Sequence, residues 1–228
     1  MWWFKKLISR SPTYKELQKI STGESKEKFV DVHTFNKQII TRYEDSDMQP
    51  YLGNFIFVRE EVAKKLGKVQ QFLNKRYGYN LCIIEGYRHP DVQKSYFEKQ
   101  RAILSQSNPK LTPEELDQAT HIFIAVPAVA GHPTGGAVDL TLADRNGTQL
   151  DMGMHVADFD DAKKMETFAK GLTVQQRKNR KILLDAMLQM DFVPFYGEWW
   201  HFSYGDREWA WQKGKTGAIY APVDFRIK

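Results

Sequence analysis

The chain has 228 residues with one cysteine, six histidines and a formal charge of +5. One cysteine (Cys82) excludes an intramolecular disulfide, a cysteine-based zinc finger and an iron–sulfur cluster. With 42% hydrophobic and 27% charged residues the composition is that of a globular protein rather than a disordered one, and the small charge excess is spread like solvated helix faces. Nucleic acid is therefore not an expected partner.

At the start, Met1-Trp2-Trp3-Phe4-Lys5-Lys6 puts aromatics before charges, the reverse of a secretory signal. Residues 1–7 could dip into a membrane surface, although a docked or frayed terminus is the plainer reading. The longest apolar stretch, residues 122–131, carries Pro127 and is too short to span a bilayer. A cytoplasmic location is expected, with the periplasm left open.

A surface helix is expected around residues 14–20, then a loop to about residue 30. Residues 29–43 alternate in part, which suggests a strand or irregular edge structure, and residues 44–55 read as loop. Val62, Leu66, Val69, Phe72 and Leu73 recur at helical spacing over residues 59–77, and Gly78 stops that helix. Leu81-Cys82-Ile83-Ile84 is a short apolar strand. Pro90 opens a helix to about residue 105, and Thr112-Pro113-Glu114-Glu115 carries the signature of a capping box.

Residues 124–136 are rich in Pro, Ala and Gly and read as loop. Residues 137–142 form a second strand, which Asn146-Gly147 turns into a hairpin with Gln149-Leu150. An amphipathic helix is expected over residues 174–190 and an aromatic strand over residues 192–204, with the tail wrapping as loop and edge. The expected fold is a single α+β domain, a central mainly antiparallel sheet flanked by helices. Residues 1–30 are an N-terminal extension, about 50–205 the core and 206–228 a C-terminal wrap.

Five polar residues, Arg88, His132, Asp139, Glu198 and His201, sit at the ends of apolar segments. A lone carboxylate at Asp139, between Val138 and Leu140, would be costly to desolvate, so it wants a cation or strong donors. Fully extended, the steps from His132 to Asp139 span ~23–25 Å, so the two share a metal only if the chain folds back. Gly135-Gly136 supplies the freedom for that. Two histidines and one carboxylate, with a fourth position for water, make a standard catalytic zinc arrangement. On a regular strand, however, Glu198 and His201 would face opposite sides, so a bulge or an approach from two directions is needed. Read separately, each signal has an ordinary structural alternative: a satisfied core histidine, a capping aspartate, or an Arg88 salt bridge to Glu85 or Asp91.

Together, His132-Pro133-Thr134-Gly135-Gly136-Ala137-Val138-Asp139 and Glu198-Trp199-Trp200-His201 resemble the D-alanyl-D-alanine dipeptidases, within the zinc D,D-peptidases. Glu85-Gly86-Tyr87-Arg88 and Asp151-Met152-Gly153 resemble further landmarks of that family, so the likeness runs over roughly residues 50 to 205. The resemblance implies Zn²⁺, one ion per chain, held by His132, Asp139 and His201. It also implies Glu198 as catalytic base, Arg88 at the oxyanion, and Asp158 or Asp160 as holder of the substrate ammonium. The chain departs from the family at Ala130 and Pro133, where serines are common. The expected activity is hydrolysis of D-Ala-D-Ala or a similar small dipeptide. The alternatives are a D,D-carboxypeptidase or cell-wall endopeptidase on the same scaffold, or a metal-dependent binding module without catalysis. Oligomeric state is not legible.

Overall fold

The structure is a computed structural model that describes residues 10–43 and 46–227. The membrane-contact reading of residues 1–7 lies outside the described residues. Among the described residues no helix is long and apolar enough to cross a membrane.

The chain begins with helix α1 (Tyr14–Gln18), closed by a Thr13–Glu16 capping box. Then come strand β1 (Phe29–Asp31), the short helix α2 (Val32–Phe35) and strand β2 (Ile40–Thr41), so the expected edge segment is broken in two. Residues 49–52 depart from the loop reading. Pro50 sits in the first turn of helix α3 (Gln49–Leu52), where its missing N–H costs nothing, and Leu52 is buried. Strand β3 (Phe57–Arg59) leads into helix α4 (Glu60–Tyr77), which ends on left-handed Gly78.

Strand β4 (Asn80–Glu85) follows, then helices α5 (Pro90–Ser107) and α6 (Pro113–His121). Two 3₁₀ turns, at Pro127–Val129 and His132–Thr134, fill the Pro- and Gly-rich segment before strand β5 (Ala137–Ala143). The second half holds helices α7 (Ala162–Met165) and α8 (Val174–Gln189), strands β6 (Val193–Pro194) and β7 (His201–Ser203), and helix α9 (Arg207–Gln212).

Five strands form one sheet in the order β2-β4-β5-β7-β6, antiparallel except for the parallel β2–β4 pair; β1 and β3 pair separately. The architecture is thus α+β with a mainly antiparallel central sheet. Alternation along the strands gives its faces different tasks. Leu81 and Ile83 of β4, Val138, Leu140 and Leu142 of β5, and Phe202 of β7 join the main core with Leu66 and Val69 of α4 and Leu183 and Met187 of α8. Each such side chain contributes ~1.5–3 kcal/mol by leaving water. The residues between them in sequence, Asp139 and Thr141 of β5 and His201 and Ser203 of β7, are directed to the opposite face. The layer of α4 and α8 thus fixes one face of the sheet, and the opposite face presents polar groups to a cavity that α1, α5, α6 and α9 help to line.

The C-terminal segment lies against the rest of the molecule. The Tyr87 hydroxyl donates to the Val223 carbonyl at 2.7 Å and accepts from the Phe225 N–H, while Phe225 stacks on Phe29.

Candidate metal centre

The expected aromatic strand over residues 192–204 does not run through. Val193-Pro194 pairs with β7, but between them the chain makes a turn in which the Phe195 carbonyl accepts from the Glu198 N–H at 3.1 Å. Trp199 and Trp200 anchor this turn in the core at 2% and 1% exposure. Glu198 therefore comes to the site from a turn and His201 from a strand. The opposed-faces difficulty disappears without a bulge in β7.

The bulge lies instead in β4. Register shifts between Ile83 and Glu85, so that Glu85 rather than Ile84 stands opposite Asp139. Beyond it the chain turns at Gly86, and Arg88 follows. A Cβ on Gly86 would lie 2.5 Å from the Phe57 carbonyl, so that position admits only glycine without backbone movement.

His132 comes from the 3₁₀ turn before β5. Gly135, at φ 72°, reverses the chain so that β5 runs back past the histidine. Arg59 holds the turn, donating Nε–H to the Thr134 carbonyl at 2.8 Å with its guanidinium over the Phe29 ring. His132 Nδ1 lies 2.7 Å from the Gly86 carbonyl, which makes Nδ1 the protonated nitrogen and leaves the Nε2 lone pair facing Asp139.

The result is a compact donor set. Asp139 Oδ2 lies 3.3 Å from His132 Nε2, and Asp139 Oδ1 lies 2.9 Å from His201 Nδ1. One potential ligand atom from each residue lies within 4.8 Å of the other two. Ligands ~2.0–2.2 Å from a tetrahedral ion sit roughly 3.3 Å apart, so the spacing suits one small ion. Ser203 Oγ, 3.4 Å from His201 Nε2, stands behind the second imidazole as Gly86 does behind the first.

The charges are strongly coupled. Burial alone would push the Asp139 carboxyl up, but the two histidines facing it prevail and hold it well below the usual carboxylate range. His132 is raised, because the attraction of Asp139 outweighs burial and the repulsion of Arg88. Glu198, 8% exposed, goes the other way: burial first and the Asp139 charge second push its carboxyl well above the usual range. Arg88 gives Nε–H and Nη2–H to the two oxygens of Glu85 and Nη1–H to Gln93 Oε1 at 2.8 Å. This is the Glu85 salt bridge weighed above, yet each Nη still carries a second hydrogen, and Arg88 lines the same cavity as the histidines.

That cavity has a volume of about 330 Å³ and contains Arg88, His132, Asp139, Glu198 and His201, so all five polar residues converge. Asp158 and Asp160 do not join them. Val156, Ala157 and Phe159 line the wall, but Asp158 Oδ1 instead accepts from the Asp160 N–H at 3.0 Å. The cavity also takes in residues the sequence does not single out, among them His121 at the end of α6, Leu17 in the N-terminal extension and Glu208 in the tail. None carries a local motif that could have revealed it.

A buried carboxylate between two imidazoles, with an acid group and an arginine across one cavity, is the kind of site that metallopeptidases use. Comparison with known proteins gives the same class. Residues 40–215 match the family described as D-ala-D-ala dipeptidase. The chain is 32% identical over 186 residues to a D-alanyl-D-alanine dipeptidase of Synechocystis, covering 71% of this chain and 75% of that one. It is 35% identical over 126 residues to one of Escherichia coli, covering 55% of each. With one of Enterococcus faecium it shares 30% identity over 162 residues, 68% of this chain and 77% of the relative. The chain belongs to the D-Ala-D-Ala dipeptidase family and is a metallopeptidase.

Proposed function

We propose that the protein hydrolyses D-Ala-D-Ala at a single Zn²⁺ held by His132, Asp139 and His201. The observation that carries this reading is the placement of Asp139 between the two imidazoles, with Glu198 and Arg88 on the same cavity wall. The donor set fits the metal, since two nitrogens and one oxygen within 4.8 Å of one another beside the cavity would supply three ligands and leave a water to be the fourth. Bound there, Zn²⁺ would acidify a water to a pKa of about 7 and polarise the scissile carbonyl.

The protein's own groups divide the remaining work. Glu198 takes the proton of the attacking water and passes it to the departing amine. A carboxyl with a raised proton affinity suits both halves of that transfer, a role worth roughly 10²–10⁴-fold. Arg88 stays charged throughout and offers its remaining Nη hydrogens to the oxygen on which negative charge develops. Glu85 and Gln93 fix the plane of that guanidinium, and Tyr96 lies against it, with the ring centroid 5.2 Å from Cζ. The second histidine nitrogens are engaged by Gly86 and Ser203, which holds the rings in place.

The sequence resemblance assigned Asp158 or Asp160 to the substrate ammonium. Their neighbours Val156, Ala157 and Phe159 line the cavity, which supports keeping that role with this segment. The test of function is turnover of D,D-, L,D- and L,L-dialanine by the zinc-loaded protein. Release of alanine from the D,D isomer well above the others supports the reading, and activity confined to the L,L isomer overturns it.

A further inference from the structure

A second cavity, of about 550 Å³, shares no lining residue with the one at the candidate metal centre. Helix α8 and residues 167–172, which precede it, form its walls together with Tyr196. Its volume falls in the roughly 300–1,000 Å³ range of small-molecule sites. Leu172, Leu184 and Leu188 make the lining apolar, and Phe168 stacks on Tyr196 with 5.8 Å between ring centroids. Phe168 is nevertheless 68% exposed, a large apolar side chain that the protein itself does not cover.

Charge distinguishes this cavity from an ordinary packing gap. Arg177, Arg180 and Lys181 line it against a single carboxylate, Asp185. That carboxylate is taken by Lys181, whose Nζ lies 2.7 Å from Oδ2. The two arginines are neighbours on one face of α8. Arg177 donates to the Leu172 carbonyl, and Arg180 donates from Nε to the Met152 carbonyl and from Nη1 to the Glu166 carbonyl, both at 2.8 Å. Among the described residues no carboxylate forms an ion pair with either. Carbonyls satisfy the N–H groups but leave the charges unanswered.

Arg180 shows the deficit most plainly. It is only 3% exposed, its Nη2 has no hydrogen-bond partner, and its Cζ lies 5.2 Å from the centroid of the Trp199 ring. Burial, partly offset by the Asp151 charge, pulls its pKa down to about 10. Asp151 itself is engaged by Gln176 and by the Gly153 N–H. A buried cation without a counter-ion is costly, and an anion brought to it offsets that cost.

We propose that this cavity binds a small amphiphilic anion, its carboxylate between Arg177 and Arg180 and its apolar body along Leu184, Leu188 and the Phe168–Tyr196 pair. The chemistry of the walls sets the class. A fully polar anion would leave the leucine and aromatic surface wet, and a neutral apolar molecule would leave Arg180 unanswered. A carboxylate on a short apolar body meets both needs, and its bond to a guanidinium is charge-assisted. The site is independent of the reading of the metal centre, because none of its residues takes part in that chemistry.

The test is isothermal titration calorimetry of the zinc-loaded protein with octanoate, octan-1-ol and octylamine, on the wild type and on the Arg180→Met and Arg177→Gln variants. Octanoate is expected to bind at one site per chain with a Kd of roughly 1 mM or tighter. Octan-1-ol should bind at least about 10-fold more weakly, and octylammonium not at all. Each arginine variant should weaken octanoate by about 10- to 100-fold and bring it level with octan-1-ol. If Arg180→Met does not fold, Arg177→Gln, at an exposed position, carries the test alone. No saturable octanoate binding, or equal binding of the three compounds, overturns the proposal. Octanoate binding untouched in every folded variant overturns it too, by placing the anion elsewhere on the molecule. Sedimentation with phosphatidylglycerol vesicles that depends on Arg177, without octanoate binding, would assign these residues to a membrane surface and equally overturn it.

Discussion

Asp139 of β5 and His201 of β7 are direct cross-strand partners, and their side chains meet at 2.9 Å between Oδ1 and Nδ1. Antiparallel pairing thus sets two of the three proposed ligands side by side before any metal arrives. The third, His132, is brought within 3.3 Å of the same carboxylate by a glycine turn, so backbone hydrogen bonding rather than loop chance forms the site.

Glu198 faces the cavity without belonging to the His132, Asp139 and His201 donor set. Glu198→Gln is therefore expected to retain zinc while turnover drops by roughly 10²–10⁴-fold. Metal content by atomic absorption beside kcat checks this, and loss of the metal with the activity would make Glu198 a ligand.

Arg88 holds its plane through a two-point bond to Glu85, which a lysine cannot reproduce. Arg88→Lys keeps the positive charge but loses the fork. The expected result is a kcat lower by about 10- to 100-fold with KM little changed, as for an interaction that strengthens in the transition state. A change in KM alone would place Arg88 in substrate binding instead.

His121 is buried and its Nδ1 accepts the Val126 N–H at 3.1 Å, and burial lowers its pKa to about 4. For a base whose folded pKa is depressed, the unfolded chain binds the proton first. Stability is therefore full above the ordinary histidine pKa of about 6.5 and falls as the pH drops towards 4. The drop amounts to about 2–3 kcal/mol by pH ~4.5. Urea unfolding at pH ~7.5 and ~4.5 should show His121→Gln spared that part of the acid loss.

Gly86 has no room for a methyl group, and its carbonyl orients His132. Gly86→Ala is expected to cost on the order of 1–3 kcal/mol as the strand end moves away from β3. The same displacement should weaken zinc retention. Thermal unfolding and zinc release to a competing chelator measure the two effects on one sample.

Much of this was legible in the sequence, where local physics decides the outcome. The periodic apolar face of α4, its Gly78 stop and the capping box at Thr112 appear as read. The need of Asp139 for a cation or donors follows from one carboxylate in an apolar strand, and the two histidines meet it. The misreadings arose where tertiary contacts prevail. Residues 195–200 are aromatic enough for a strand, yet Trp199 donates its N–H to the Met165 carbonyl and both tryptophans fill the core, which bends the chain. Helix α3 is too short to show a period. Glu208 and Leu17 reach the cavity from opposite ends of the chain, a placement that no spacing rule records.

The central claim is metal-dependent cleavage of D-Ala-D-Ala, and the most direct measurement is alanine release by chelator-stripped protein titrated with Zn²⁺. The account predicts no release from the stripped protein and recovery that saturates near one zinc per chain. Release that survives stripping, or that zinc does not restore, would contradict it.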